Sequence, residues 1–298
     1  MTTVVPPTNG RTDNEKKPIY NEIPKQVSRK DFNKYIDPYL SKPKKGPKPK
    51  ISFYKIFNYI LYVLHTGIQW NQLKTRRNEI HWSNVYIRHN RWSKDGSYEK
   101  LFSASVIHLK YTNQLDISLI HGDGSNTVVK KGGTGIGYSG HKHQKGDKEL
   151  IIVDNNGFVL GPIIVKPVNQ PDMVILPESL TKLVPFTKQI GLELEKSSFA
   201  LDSGFDSKTN RDLIKEQKLV PVINPNRRNT KEPIVIARMY RWFDKKQYKE
   251  RYKVERTFSW QDTYRRLAVS YDRLEEIRLG FRHLAYAMIN FRVTFNSS

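Results

Sequence analysis

The stretch LDISLIHGDGS, residues 115–125, is where the chain changes its rhythm. Before it, apolar residues recur every three or four positions; within it, Ile117, Leu119 and His121 alternate with a period of two and run into Gly122-Asp123-Gly124. A period of two is the mark of a half-buried strand, so Ile117–His121 predicts a strand that ends at the glycines. Reading downstream, Glu149–Val153 and Phe158–Val165 predict two more strands, joined by Asp154-Asn155-Asn156-Gly157, since Asn-Gly between apolar runs is a hairpin signal. Val174, Leu176, Leu180 and Leu183 predict a helix, although Pro177 and Pro185 blur its limits. A short strand Ser198–Leu201 leads into Asp202, a helix carries Leu213 and Ile214, a strand covers Leu219–Ile223, and a helical region spans Tyr248–Phe291. Strands and helices in that order predict an α+β or mixed α/β fold, with a mixed sheet flanked by helices.

Upstream, residues 51–114 predict a helical domain. Phe53, Ile56, Phe57, Ile60, Leu61 and Leu64 form one apolar stripe, a second stretch holds Ile80, Val85, Ile87 and Trp92, and a third runs from Tyr98 to Leu109. Gly67 and Gly96 fit helix exits or turns. Three helices with Arg88, Arg91 and Lys94 outside the core would suit a helix-turn-helix docked on DNA. Residues 1–50 read as a flexible arm closing on SKPKKGPKPK, residues 41–50; Lys42, Lys44 and Lys45 among its prolines can follow phosphates without forming a helix, or simply be solvated.

The composition narrows the function. Of 298 residues, 51 are Lys or Arg and 29 Asp or Glu, a formal net charge of +22 that calls for a polyanionic partner. With no cysteine, thiolate catalysis and Cys-ligated metals are excluded. No signal peptide and no membrane-length apolar run are evident, which predicts a cytoplasmic protein without a membrane partner. Gly135-Ile136-Gly137-Tyr138-Ser139-Gly140 matches G-x-G-x-x-G literally, but it lies between Lys130-Lys131-Gly132-Gly133 and His141-Lys142-His143, without the strand and helix a dinucleotide site needs. No nucleotide cofactor is expected, and His141 with His143 is a weak zinc signal.

The carboxylates say more. Asp123 and Asp202 close predicted strands, and Glu255 sits in a basic helical stretch; between Asn226 and Arg256, eleven Lys or Arg face four Asp or Glu. Three carboxylates brought together need a cation, and Mg2+ takes oxygen ligands. On the residues alone, each aspartate reads equally as a turn former and Glu255 as an ion-pairing surface residue.

At these residues the chain resembles a known family. Tyr248-Lys249-Glu250-Arg251-Tyr252-Lys253-Val254-Glu255-Arg256, continuing through Tyr264-Arg265-Arg266-Leu267, is similar to the Tyr/Arg/Glu signature of DDE transposases of bacterial insertion sequences. Leu201-Asp202-Ser203-Gly204-Phe205-Asp206-Ser207 resembles the family's second-aspartate motif, His121-Gly122-Asp123-Gly124-Ser125 its first, and Val168-Asn169-Gln170-Pro171-Asp172 the segment after the third strand. The signature lysine seven residues beyond the glutamate is replaced here by Asp262, and the resemblance points to Arg265 and Arg266 as its basic substitutes.

The resemblance implies an RNase H-like catalytic domain over 115–292 with a short basic insertion at about 224–247, preceded by a helix-turn-helix-like domain. It implies Asp123, Asp202 and Glu255 as catalytic residues and ligands of two Mg2+ or Mn2+ ions. Tyr248, Arg251, Arg256, Arg265 and Arg266 would support DNA. The implied partners are double-stranded DNA with terminal inverted repeats and target DNA, with self-association on DNA, in a bacterial cytoplasm. The activity implied is strand cleavage and strand transfer; the rivals are an RNase H-like nuclease that cuts without joining and an inactive DNA-binding protein.

Overall fold

The computed structural model describes residues 22–43, 51–228 and 230–295. In chain order the elements are a short helical run of α1 (Arg29–Asp31), a wider turn over Phe32–Ile36 and a 310 turn over Asp37–Tyr39; then α2 (Phe53–Thr66), α3 (Trp82–Lys94) and α4 (Ser97–Tyr111). The sheet begins with β1 (Leu119–Val129), β2 (Gly137–Ser139), β3 (Gln144–Val153) and β4 (Ile164–Pro167), followed by α5 (Asp172–Gln189), β5 (Ser198–Leu201), α6 (Lys208–Glu216) and β6 (Val220–Ile223). The chain continues through α7 (Pro233–Tyr240), α8 (Lys245–Lys249), α9 (Tyr252–Asp262), α10 (Arg265–Ala268), β7 (Val269–Ser270) and α11 (Glu275–Phe295). This is the N-terminal helical region and mixed α/β core of an RNase H-like domain.

The strands lie in the order β2-β3-β1-β5-β6, with β4 also on β3 and β7 also on β1. β1 runs antiparallel to β3 and parallel to β5, and β5 parallel to β6. Alternation divides the side chains between two layers. Ile120, Leu150, Ile152, Phe199 and Leu201 face α5 and α6, where Ile175, Leu176, Leu180 and Ile214 are buried. Ile151 and Val153 face the other way, into a core built from α2, α3, α4, α9 and α11. Each fully buried Leu, Ile or Phe stabilises by roughly 1.5–3 kcal/mol.

α11 is buried nearly all round, because it is wedged between the sheet and the N-terminal helices. Its core therefore crosses the position, near 114, at which the sequence changes period. Asn290 fixes the helix to the strand edge, accepting from Val159 N at 3.0 Å and donating to Val159 O and to Ser105 Oγ. Where α11 meets β3, four charges are sealed in the interior. Arg278 donates to Asp147 at 2.7 Å; Arg282 donates to Asp147 at 2.5 Å and sits 3.2 Å from Glu149; Gln261 donates to Glu149.

Several expectations need correction. The arm expected to be flexible over 1–50 is folded at residues 22–43. Ile23, Val27, Phe32, Ile36 and Leu40 are buried there, spaced four to five apart so that one side of the segment covers α2 and α4. Lys42 pairs with Asp37 at 2.6 Å, while Lys44 and Lys45 lie outside the described residues. The first strand does not end at Gly122-Asp123-Gly124 but continues to Val129, because the β3 ladder carries on to Val128 opposite Gly146. The glycine-rich connection contributes β2, paired with the start of β3. The expected strand Phe158–Val165 shrinks to Ile164–Pro167 with a single bridge at Val159. Tyr248–Phe291 is three helices and a two-residue strand before α11 takes over. Among the described residues, no helix is long and apolar enough to cross a membrane.

Candidate active site

The site begins with strand register. Leu119 faces Ser198, Ile120 faces Phe199 and His121 faces Ala200, a constant offset of 79 residues that, carried forward, sets Asp123 level with Asp202. The parallel ladder stops at His121, whereas the antiparallel ladder on the other edge of β1 continues. Asp123 therefore stands where β1 parts from β5, at the mouth of a crevice, the usual place for ligands in open α/β sheets. Alternation puts Leu119, His121 and Asp123 on one face with Ala200 and Asp202, the face covered by Phe243 and Tyr248.

Asp123 is mostly enclosed. One of its oxygens, Oδ1, accepts from Gly124 N at 2.9 Å, and Oδ2 accepts from the Arg251 guanidinium at 2.7 Å. Burial pushes its carboxyl up to about 6 despite the pull of Arg251, with Asp202 and Asp172 adding to the rise. Asp202 caps the 310 turn Ser203–Phe205, accepting from Gly204 N at 2.7 Å. The Arg251 guanidinium lies 5.7 Å from the centre of the Tyr248 ring, and Tyr248 packs on Phe243 at 5.2 Å. Thus the Tyr248/Arg251 part of the signature converges on Asp123.

Glu255 lies one turn beyond Arg251 on α9, and it is exposed; the buried residues of that helix are Val254, Thr257, Trp260 and Gln261. Among the described residues, no group of three His, Asp or Glu side chains is placed to hold a metal ion. The structure thus brings Asp123 and Asp202 to one face but does not gather Glu255 with them. Asp123 and Asp202 offer the hard oxygen donors that Mg2+ takes, and the Arg251 guanidinium now occupies the position beside Asp123 Oδ2. That donor set fits a divalent cation in kind.

The remaining expected DNA contacts divide. Arg91 and Lys94 are exposed on α3, and Arg265 is exposed on α10. Arg88 is half-buried, its guanidinium 4.8 Å from the Phe53 ring centre. Arg256 donates to Asn156 O at 3.1 Å and lies over Trp260, so its charge serves the junction between α9 and the 154–157 turn. Arg266 is 2% exposed and grips Asp272 with two hydrogen bonds of 2.9 Å. A guanidinium so enclosed cannot stand in for a phosphate-binding lysine. His141 and His143 are exposed, away from buried His121.

Three residues around Asp123 were not singled out from sequence as site residues. Asp172, at the start of α5, reaches Gly124 so closely that a β-carbon there would lie 2.9 Å from its Oδ1, and Lys148 pairs with it at 2.9 Å. The Val168–Asp172 segment carried the signal for Asp172. Nothing in the sequence marks Lys148, whose partner lies on another element. His121 is buried beside Asn155, and burial pulls its imidazole down to about 4, keeping it neutral.

Known proteins resemble the chain in two separate stretches. A model described as "Transposase DDE domain" matches residues 115–288, and one described as "Putative transposase of IS4/5 family" matches residues 31–102. A Burkholderia cepacia protein, "Putative transposase for insertion sequence element IS402", is 28% identical over 145 residues; the match spans 48% of this chain and 62% of that protein's length. Among solved structures, a pre-cleavage Mos1 transpososome aligns over 76% of this chain and 81% of that one, with 10% identity and a TM-score of 0.28. A Mos1 mariner paired-end complex with Mn aligns over 76% and 81%, with 11% identity and a TM-score of 0.30.

Proposed function

The chain belongs to the DDE transposase domain family, and from that premise we propose that it cuts and rejoins DNA strands at the ends of an insertion sequence. What supports this reading is Asp123 on β1 and Asp202 just beyond the end of the parallel neighbour β5, with Arg251 bonded to Asp123 from the helical signature. In the proposed mechanism Asp123 and Asp202 would hold divalent metal, Mg2+ or Mn2+, with Glu255 on α9 as the further ligand. Bound there, such ions would activate a water or 3′-hydroxyl and stabilise the departing oxygen.

The chain's own residues do the rest. Arg251, bonded to Asp123 Oδ2, could instead meet a phosphate where that carboxylate takes another partner. Tyr248 holds Arg251 from behind. The exposed cations Arg91, Lys94 and Arg265 follow the backbone of a duplex bearing terminal repeats, which gives register without sequence readout. Joining two ends brings self-association on DNA, and the work is cytoplasmic.

The test is a duplex carrying the element's terminal repeats, incubated with Mg2+ and target DNA. Nicking followed by joining is the expected outcome, and both should vanish in Asp123→Asn and Glu255→Gln while duplex binding persists. Cutting without joining would make the protein a nuclease, and binding alone would make it an inactive DNA-binding protein.

A further inference from the structure

The glycine-rich connection after β1, which the acidic site does not use, forms part of a second feature. Together with the loop between α2 and α3 and the segment after β7, it encloses a cavity of about 810 Å3. That is within the range of small-ligand pockets. From Asp123 to the end of β1 is six residues of continuous strand, about 20 Å, so the cavity is remote from the acidic crevice.

We propose that this cavity is a stacking site for an unpaired nucleobase of single-stranded DNA. Its lining is aromatic: Trp70, Trp82 and Tyr86 from the helical region, Tyr271 from the segment after β7. The Trp70 and Tyr86 rings meet edge to face at 5.3 Å. Trp70 is backed by the Arg266 guanidinium, itself fixed by Asp272. Trp82 is only partly buried and Tyr271 is 40% exposed, so both keep ring surface for a ligand.

Charge selects the ligand. Lys131 and Arg273 line the same cavity, are exposed, and make no ion pair among the described residues, whereas the acidic Asp272 is committed to Arg266. Aromatic surface with uncompensated cations beside it suits a flat base carrying phosphates. Within a duplex the stacked neighbours cover each base's faces, so the occupant is an unstacked, single-stranded base.

The rim is built rigidly, as such a site requires. Thr134 N donates to Arg273 O at 3.0 Å, Lys130 N to Ser270 O at 3.0 Å, and Arg278 to Thr134 O at 2.6 Å. Gly133, at φ +137°, lies so close to Arg273 that a β-carbon would fall 1.9 Å from its carbonyl oxygen. Lys131 and Arg273 are thereby held together by backbone contacts before any ligand arrives, which reduces the ordering cost of binding.

The experiment uses the full chain in EDTA, so that no cleavage is needed and its failure leaves the transposase reading standing. A labelled short oligothymidine and a blunt duplex are titrated by fluorescence anisotropy. Trp82→Ala is expected to weaken oligothymidine binding about tenfold, Trp82→Phe to restore most of it, and neither to change duplex affinity. Tyr271→Ala, on a separate element, should repeat the single-strand loss and decides the matter if Trp82→Ala melts early. Parent affinity for oligothymidine in Tyr271→Ala, or equal losses for single strand and duplex at an unchanged melting temperature, would overturn the proposal.

Discussion

β1 and β3 are paired strands that both carry carboxylates, yet the protein treats those toward the two ends of the ladder in opposite ways. Asp147, opposite Thr127, is sealed beneath α11 with Glu149, and two arginines answer the two acids. Asp123, opposite Ile151, has one arginine, a neighbouring Asp202, and a carboxyl lifted to about 6 by burial. The first group is balanced and closed; the second is left short of positive charge at a crevice. A shortfall of that kind is what a cation relieves, and it marks a functional site with a physical rationale.

The sharpest way to break this contrast is the same substitution at both places. Asp147→Asn leaves Arg278 and Arg282 to share Glu149 alone in the interior, and should cost about 3–5 kcal/mol in urea unfolding, since an uncompensated buried charge is expensive. Asp123→Asn should change stability by less than about 1 kcal/mol while lowering Mg2+-dependent nicking by at least about a hundredfold. Equal stability losses at both positions would erase the distinction between a structural and a functional acid.

A smaller effect comes from pH. Burial pulls His89 down to about 3 and His283 to about 4, so both are neutral in the folded chain. The unfolded chain takes up these protons near pH 6.5. Between about 6.5 and 4 it therefore binds more protons than the folded chain, and stability falls as pH falls, by up to about 1.4 kcal/mol per pH unit for each histidine. His89→Gln should flatten the decline of melting temperature over that window, without changing the metal dependence of nicking.

The smallest effect separates surface cations from buried ones. Arg91→Ala and Lys94→Ala should each reduce the slope of log affinity against log salt for duplex binding by about one. Arg266→Gln should leave that slope unchanged and lower the melting temperature instead, because its guanidinium faces Asp272 rather than solvent.

Much of this was legible in the sequence. The change from helical to alternating rhythm near Leu115 located the sheet, and Asp154-Asn155-Asn156-Gly157 is indeed a tight turn, with Gly157 N bonded to Asp154 O. Both aspartates were legible as strand ends, but only the family resemblance joined Asp123 to Asp202; the residues alone left each as a possible turn former. What remained hidden depends on distant partners. Arg256, Arg266, Arg278 and Arg282 look alike in a basic chain, and only the fold shows that each is committed to an internal acceptor. Residues 22–43 read as an arm because the proline- and lysine-rich stretch after them dominates their composition, while their sparse apolar residues find a core made elsewhere. β2 was missed because three residues among glycines carry no period.

The burial of α11 on all sides reaches back to how the protein is made. That helix closes the core under α3 and α4 as well as the one under β3. On a ribosome, neither the amino-terminal helices nor the sheet can finish folding until residues up to 295 have emerged. A chain cut short before that point would leave the apolar faces of both the helical region and the sheet uncovered.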